Sequence, residues 1–244
     1  MTIKIVSAGW NCADWFEQTL RSVEAQDFDD WEIWITYDPS DDGGGQRIQQ
    51  WCDRRDRRWN CTINTEKKWA IRNHYESICK LDPADDDIIV FLDLDGDMLA
   101  HPDVLQRLQD AYDGGALVTY GQYRPIPDEG TSSFAKPYPA DVIRANSYRE
   151  HHRRHGETCF NHLRTISGRV FRAIPEHYFK WDRSGTAKIP GGTFRFTAGE
   201  WYQGSTDYVF MISALERAGG RVKVFEEVLL LYNHDNPLAD NQTH

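Results

Sequence analysis

Residues 3–8, Ile-Lys-Ile-Val-Ser-Ala, favour extended backbone and stop at Gly9, which predicts a short opening strand. Residues 14–26 change period: Trp15, Leu20 and Val23 recur at helical spacing. A second strand is predicted over Trp31-Glu32-Ile33-Trp34-Ile35-Thr36-Tyr37, followed by a turn-rich loop over 38–45 and a helix over 46–58. A third helix is predicted over 70–81. Residues 87–92 are almost continuously apolar, the mark of a central strand covered on both faces. Then come a helix over 102–112, a strand over 116–120 and a Pro-, Ser- and Gly-rich stretch over 125–139 that reads as a long loop between two halves. A basic region, a glycine-containing stretch over 185–199, a helix over 207–218 and a last strand over 222–232 complete the pattern. Alternating strands and helices predict an α/β fold: a Rossmann-like, mostly parallel sheet with helices on both faces.

Composition narrows the class. The chain has 244 residues, 40% hydrophobic and 27% charged, enough to bury a sizeable core and unlike a disordered segment. Its apolar runs are strand-sized, whereas a bilayer-spanning helix needs about 20 residues, so no membrane role is expected. The N-terminus enters a strand at once, without the pattern of a secretory leader. Five cysteines with no C-x-x-C argue against a zinc knuckle or a disulfide framework and fit a reducing cytoplasm.

The formal net charge of -10 is unevenly placed. Residues 1–97 carry 11 Lys and Arg against 21 Asp and Glu, while the rest of the chain holds 17 of each. Within that neutral part, residues 144–172 carry seven arginines and four histidines against Glu150 and Glu157. The asymmetry suggests a cation site in one half and an anionic ligand in the other. The plainer reading is a solvated helix face.

In open α/β sheets, ligands bind at the carboxyl ends of the strands. Here those ends are Ser7-Ala8-Gly9-Trp10-Asn11, then Tyr37-Asp38-Pro39-Ser40-Asp41-Asp42, then Asp93-Leu94-Asp95-Gly96-Asp97. Asp93, Asp95 and Asp97 alternate, so extended backbone points them to one side. Three like charges there need a counter-charge, and carboxylate ligands favour Mg²⁺ or Mn²⁺ over zinc. The alternative is an acidic turn in water.

These residues carry a resemblance. Trp10-Asn11 with Leu20-Arg21-Ser22-Val23 and Gln26 is similar to the opening of a family 2 type glycosyltransferase with the GT-A fold. Glu32-Ile33, then Asp38-Pro39-Ser40-Asp41-Asp42-Gly43, resembles that family's E-I-x-x-x-D-D-G-S-x-D-G, with Tyr37 in place of the first Asp and Pro39 in place of the Gly. Ala70-Ile71-Arg72-Asn73 resembles its A-x-R-N step, Asp93-Leu94-Asp95 its D-x-D, and His162-Leu163-Arg164-Thr165 an H-L-R-T element of some members. Asp207, followed by Met211 and Leu215-Glu216, sits where the family places a catalytic Asp. The ordered set spans nearly the whole chain.

The resemblance implies one GT-A-like domain over 1–244, with a donor-nucleotide half (1–124) and an acceptor half with the catalytic Asp (140–244). It implies a nucleotide-sugar donor, UDP-linked, and Mn²⁺ or Mg²⁺ on the D-x-D. Asp95 becomes the direct metal ligand and Asp93 a ribose or water-mediated contact, although Asp97 opens a second overlapping frame. Asp38 resembles the acceptor of the uracil N3–H. Ser7, Ala8 and Asn11 fall in the same donor pocket. Arg72 reads as part of that pocket, as a phosphate partner or as a helix-surface ion pair, and Arg164 lies in the basic block, which reads either as a clamp on the diphosphate or as contact with an anionic acceptor. His234 is where several GT-A enzymes complete the metal shell; the alternative is an exposed histidine. The tract His151-His152-Arg153-Arg154-His155 is not read as a metal site, because its arginines repel a cation. Trp201 and Tyr202 read either as sugar or base platforms or as core. Asp207 as base would make an inverting transferase, unless it only caps its helix; Glu200 is the next candidate. The acceptor stays open between a hydroxymethylated base in DNA, a glycan, a protein and a small molecule. A non-catalytic nucleotide-sugar-binding module of the same fold is the competing reading. A phosphotransferase lacks its P-loop.

Overall fold

The computed structural model describes residues 1–127, 135–189 and 192–236. The elements in chain order are β1 (Ile3–Gly9), α1 (Phe16–Glu24), β2 (Trp31–Tyr37), α2 (Gly44–Asp53), β3 (Trp59–Ile63), α3 (Trp69–Leu81), β4 (Ile88–Phe91), β5 (Met98–Leu99), α4 (Val104–Asp113) and β6 (Val118–Ile126). They continue with α5 (Ala140–Ala145), α6 (Tyr148–His155), β7 (Arg164–Ser167), α7 (Gly168–Arg172), a 3₁₀ turn (Glu176–Phe179), β8 (Gly185–Ile189), β9 (Gly192–Phe196), α8 (Thr206–Ala218) and β10 (Val222–Asn233). Of the loop expected over 125–139, residues 128–134 lie outside the described residues.

Among the described residues the strands form one eight-stranded sheet, ordered β3-β2-β1-β4-β7-β6-β10-β5, and a β8–β9 hairpin. β3, β2, β1 and β4 run parallel; β7 lies antiparallel between β4 and β6. Side-chain alternation divides the core between the two faces. Ile3 and Ile5 of β1, with Ile88 and Val90 of β4, join Phe16, Leu20, Ile48 and Leu108 from α1, α2 and α4. Val6, Ile89 and Phe91 point the other way, against Ile71 and Ile78 of α3 and Phe210 and Leu215 of α8. Residues 210–215 of α8 are buried throughout, anchoring the helix, while its first turn is half-buried.

Two topological facts position a site. The chain winds outward from β1 to β3 and returns at β4, so the crevice between the ends of β1 and β4 is a switch point. The antiparallel β7 enters where β4 exits, pairing Phe91 with Arg164 and delivering that arginine to the crevice. β7, β3 and β5 are strands that the hydrophobic pattern did not announce. β3 is an outer strand with only Trp59 fully buried. β7 is buried throughout, but it opens on a charged residue inside a basic segment.

The β7–α7 junction is tightly packed. A Cβ on Gly168 would lie 2.0 Å from the backbone oxygen of Ala84, which cannot swing aside. Gly168→Ala is therefore expected to lower the unfolding free energy by about 1–3 kcal/mol, read from urea midpoints. Gly204→Ala, with nothing within 4 Å, should stay within about 0.5 kcal/mol.

Candidate active site

The acidic loop after β4 closes against the end of β10. Gly96 has φ +107, and a Cβ there would sit 2.3 Å from the Asn233 side-chain nitrogen, so the loop needs glycine at this point. Asn233 donates its backbone N–H to Asp97 Oδ1 at 2.9 Å and its side-chain amide to the Asp95 carbonyl at 2.8 Å. Asp97 is buried, and its Oδ2 has no hydrogen-bond partner among the described residues. Burial and the charges of Asp95 and Asp93 push its carboxyl well above the usual range.

Arg164 is the centre of the cluster. Its side chain is 4% exposed, yet it pairs with Asp93 at 3.2 Å and makes a close ion pair with Asp207. His162 Nδ1 lies 3.2 Å from the same guanidinium, and His162 Nε2 is 3.9 Å from Asp207. His74, on α3, approaches Asp93 at 3.8 Å. Burial alone would raise the Asp93 carboxyl; His74 and Arg164 hold it well below the ordinary carboxylate range. Burial, and then Arg164, push His162 down to about 3, so it stands neutral at pH 7 and its Nδ1 accepts from Arg164.

The ligand atoms of Asp93, Asp97 and His162 lie within 4.8 Å of one another. An all-oxygen-and-imidazole set, with one buried carboxylate oxygen lacking a hydrogen bond, fits a hard divalent cation such as Mn²⁺ or Mg²⁺. The group takes in Asp93 and Asp97 of the three alternating acids and adds His162. Asp95 lines the same cleft as Asp93. His234 is not one of these three; its backbone donates to the Ile126 carbonyl, and its ring meets Tyr232 edge-on at 5.3 Å.

The crevice holds two adjoining clefts that share Trp10. One, of about 620 Å³, is lined by Ala8, Asp93, Asp95, His162, Asp207 and Tyr232, among others. The other, of about 630 Å³, lies at the end of β2 and is bordered by Asn11, Asp38 and Asn64. Asp38 is 2% exposed, and its carboxylate accepts from Asn64 and from the backbone N–H groups of Lys68 and Trp69, tying down the start of α3. Asn73, of the A-x-R-N step, holds Asn64 at 2.8 Å. Tyr37, which departs from the family pattern, donates to Asp42 at 2.6 Å, and Asp42 also accepts from Ser40 and from the N–H groups of Ala13 and Gly44. The departure thus has a structural role: it pins the 38–44 loop.

Other expected residues have different surroundings. The Ser7 hydroxyl is buried and donates to the Leu92 carbonyl. Arg72 takes the ion-pair alternative, bound to Glu76 at 2.7 Å, and lines neither cleft. Glu200 accepts from the Thr197 N–H in an exposed turn. Trp201 packs on Tyr75 at 5.1 Å beside the core. His151 and His155 stack on each other one helical turn apart, while His152 packs on Tyr208 and reaches the cleft. Asp207 is not the cap of α8: Ser205 holds that position in a left-handed conformation, and the Asp207 carboxylate turns to Arg164. His74 escaped the sequence reading, although its i, i+4 spacing from Ala70, which lines the cleft, was the available signal.

Removing Arg164 leaves Asp93 and Asp207 facing each other without a counter-charge. Arg164→Ala should cost roughly 2–3 kcal/mol in urea unfolding, below the figure for fully buried pairs because both carboxylates face the cleft. Arg164→Lys should restore only part of it, since an ammonium cannot span two acids as a planar fork does.

Comparison with known proteins agrees with this architecture. The profile described as "Glycosyl transferase family 2" matches residues 5–174. No curated protein sequence matches the chain. Among solved structures, S. aureus TarS 1-349 superposes with TM-score 0.63 at 11% identity, over 96% of this chain and 60% of that one. The same protein in complex with UDP-GlcNAc gives TM-score 0.60 at 13% identity, over 96% of this chain and 58% of that one. Glucosyl-3-phosphoglycerate synthase from Mycobacterium tuberculosis, in complex with Mn²⁺, UDP and phosphoglyceric acid, gives 0.53 at 13% identity, over 95% and 70%. The chain thus spans about six tenths of the TarS 1-349 length. The GT-A fold, the order of the motifs and the profile match over most of the chain place this protein in glycosyl transferase family 2.

Proposed function

We propose that the chain is a glycosyltransferase that moves a hexosyl group from a UDP-linked donor to an acceptor hydroxyl, with inversion at the anomeric carbon. The observation that carries this reading is one cleft in which the acids after β4 face Asp207 across a single buried arginine. The cleft at the end of β2, walled by Trp10, Asn11 and the Asp38-anchored loop, takes the nucleoside. Asp93, Asp97 and His162, with Asp95 beside them, would hold Mn²⁺ or Mg²⁺. When bound, such an ion offsets the negative charge of a departing diphosphate.

The chain's own groups do the rest. Arg164 fixes Asp207 at the head of α8, and the burial of residues 210–215 anchors that helix. A sugar hydroxyl is a weak nucleophile, and Asp207 takes its proton as the hydroxyl oxygen bonds to the anomeric carbon. The bond from that carbon to the diphosphate oxygen breaks, and its electron pair leaves with the nucleotide. Attack opposite the leaving group inverts the configuration.

The acceptor reading that the charges favour is not nucleic acid. Most arginines of the basic segment are paired with carboxylates of this chain. Arg153 and Arg154 both bind Glu150, Arg149 binds Glu216, and Arg172 binds Asp85, with Arg169 3.8 Å from the same carboxylate. Phosphate backbones are gripped by cations that are free to replace counterions.

Asp207→Asn keeps the size of the side chain and one acceptor oxygen but cannot take a proton. It should bind UDP with Mn²⁺ as the parent does and lose at least about a hundredfold in transfer rate. Near-parental transfer by Asp207→Asn would exclude Asp207 as the base.

A further inference from the structure

Beside the reaction cleft lies a pocket of about 490 Å³, within the span of small-molecule sites, about 300–1,000 Å³. Its walls are mostly aromatic: Trp69, Tyr178, Trp181, Tyr202 and Tyr208. Ser205 and Tyr208 line both this pocket and the cleft, and they bracket Asp207 in the chain. A molecule seated in the pocket therefore lies next to the first turn of α8, where that carboxylate sits.

The chemistry of the walls selects the occupant. Trp69 is 38% exposed and Tyr178 37%, large apolar faces left to water in the free chain. Arg217 packs over the Tyr178 ring at 4.6 Å, and Lys67 lies 4.1 Å from the Trp69 ring, so each ring has a cation packed on it. Gln203 and Ser205 supply amide and hydroxyl groups at the edge of the aromatic walls. The single charged residue of the described lining, Arg149, is paired with Glu216 at 3.2 Å, so its charge is shared with a carboxylate. Trp181 and Tyr202 meet at 64°, so these two walls do not form a parallel slot for a flat ring. Apolar faces with a hydrogen-bonding edge match a pyranose, which has C–H faces and a hydroxyl rim.

On the transferase reading above, we propose that this pocket is the acceptor subsite and that the acceptor is an uncharged saccharide. One of its hydroxyls loses its proton to Asp207 and its oxygen bonds to the anomeric carbon, while the nucleoside diphosphate departs with the electron pair of the broken bond.

Saturation-transfer NMR on the full chain tests this, using a panel of neutral mono- and disaccharides, 4-methylumbelliferone as a flat aromatic alcohol, and a short DNA duplex. At least one saccharide should bind, roughly tenfold more weakly to Tyr178→Ala, with Tyr178→Phe near parental because the ring face makes the contact. The proposal is overturned if no saccharide binds, if Tyr178→Ala leaves saccharide binding unchanged, or if the aromatic alcohol or the duplex binds more tightly than every sugar. UDP with Mn²⁺ is titrated into the same samples. UDP binding without sugar binding refutes the pocket assignment and leaves the transferase reading standing. Sugar binding without UDP binding refutes the transferase reading, and with it the acceptor role of the pocket.

Discussion

One buried guanidinium organises the cleft. Removing Arg164 from water is costly, and that cost is met only because carboxylates from two separate elements close on it, Asp93 after β4 and Asp207 at the head of α8. The sheet makes this meeting unavoidable. β7 runs antiparallel to β4, Phe91 pairs with Arg164, and the arginine emerges at the carboxyl end of the parallel strands. Without a cation there, two like charges would face one another across the crevice and α8 would have no electrostatic tie to the sheet. The arginine thus sets the distance between the acidic loop and the carboxylate proposed as base.

Around that fixed point, the residues that line the β2-end cleft are held by hydrogen bonds to one another and to residues behind them. Asn73 holds Asn64, Asn64 holds Asp38, and Asp38 holds the backbone that starts α3. Tyr37 and Asp42 do the same for the 38–44 loop, taking up the N–H groups of Ala13 and Gly44. Both chains of contact end in backbone donors, which suits a wall that must stay still while a ligand enters. The division of labour is clear in the acidic loop as well. Asp97 is anchored by Asn233 through one oxygen, while Asp93 and Asp95 border the cleft.

Much of the fold was legible because alternation and apolar runs are local. β1, β2, β4 and the helices on either side follow directly from side-chain period. β3 was hidden because an outer strand buries little, and β5 because two residues carry no period. β7 was hidden because its first residue is an arginine whose partner, Asp93, lies 71 residues away. The site divides in the same way. Asp93, Asp95 and Asp207 stand out through strand-end position and family resemblance. His162 was visible within the H-L-R-T element, but its convergence with Asp97 depends on sheet order. Arg72 shows the limit of motif reading. Two residues from both Ala70 and His74, it lies about 200° round the helix from the cleft-facing side, and its guanidinium goes to Glu76.

The Arg164-centred cleft is proposed as a donor site whose acids take a divalent cation together with the diphosphate. Calorimetric titration of UDP into the parent protein, once with Mn²⁺ and once with EDTA, tests this assignment most directly. UDP affinity should be at least about tenfold tighter with Mn²⁺, a difference of about 1.4 kcal/mol or more. Equal affinity in the two titrations would contradict the assignment.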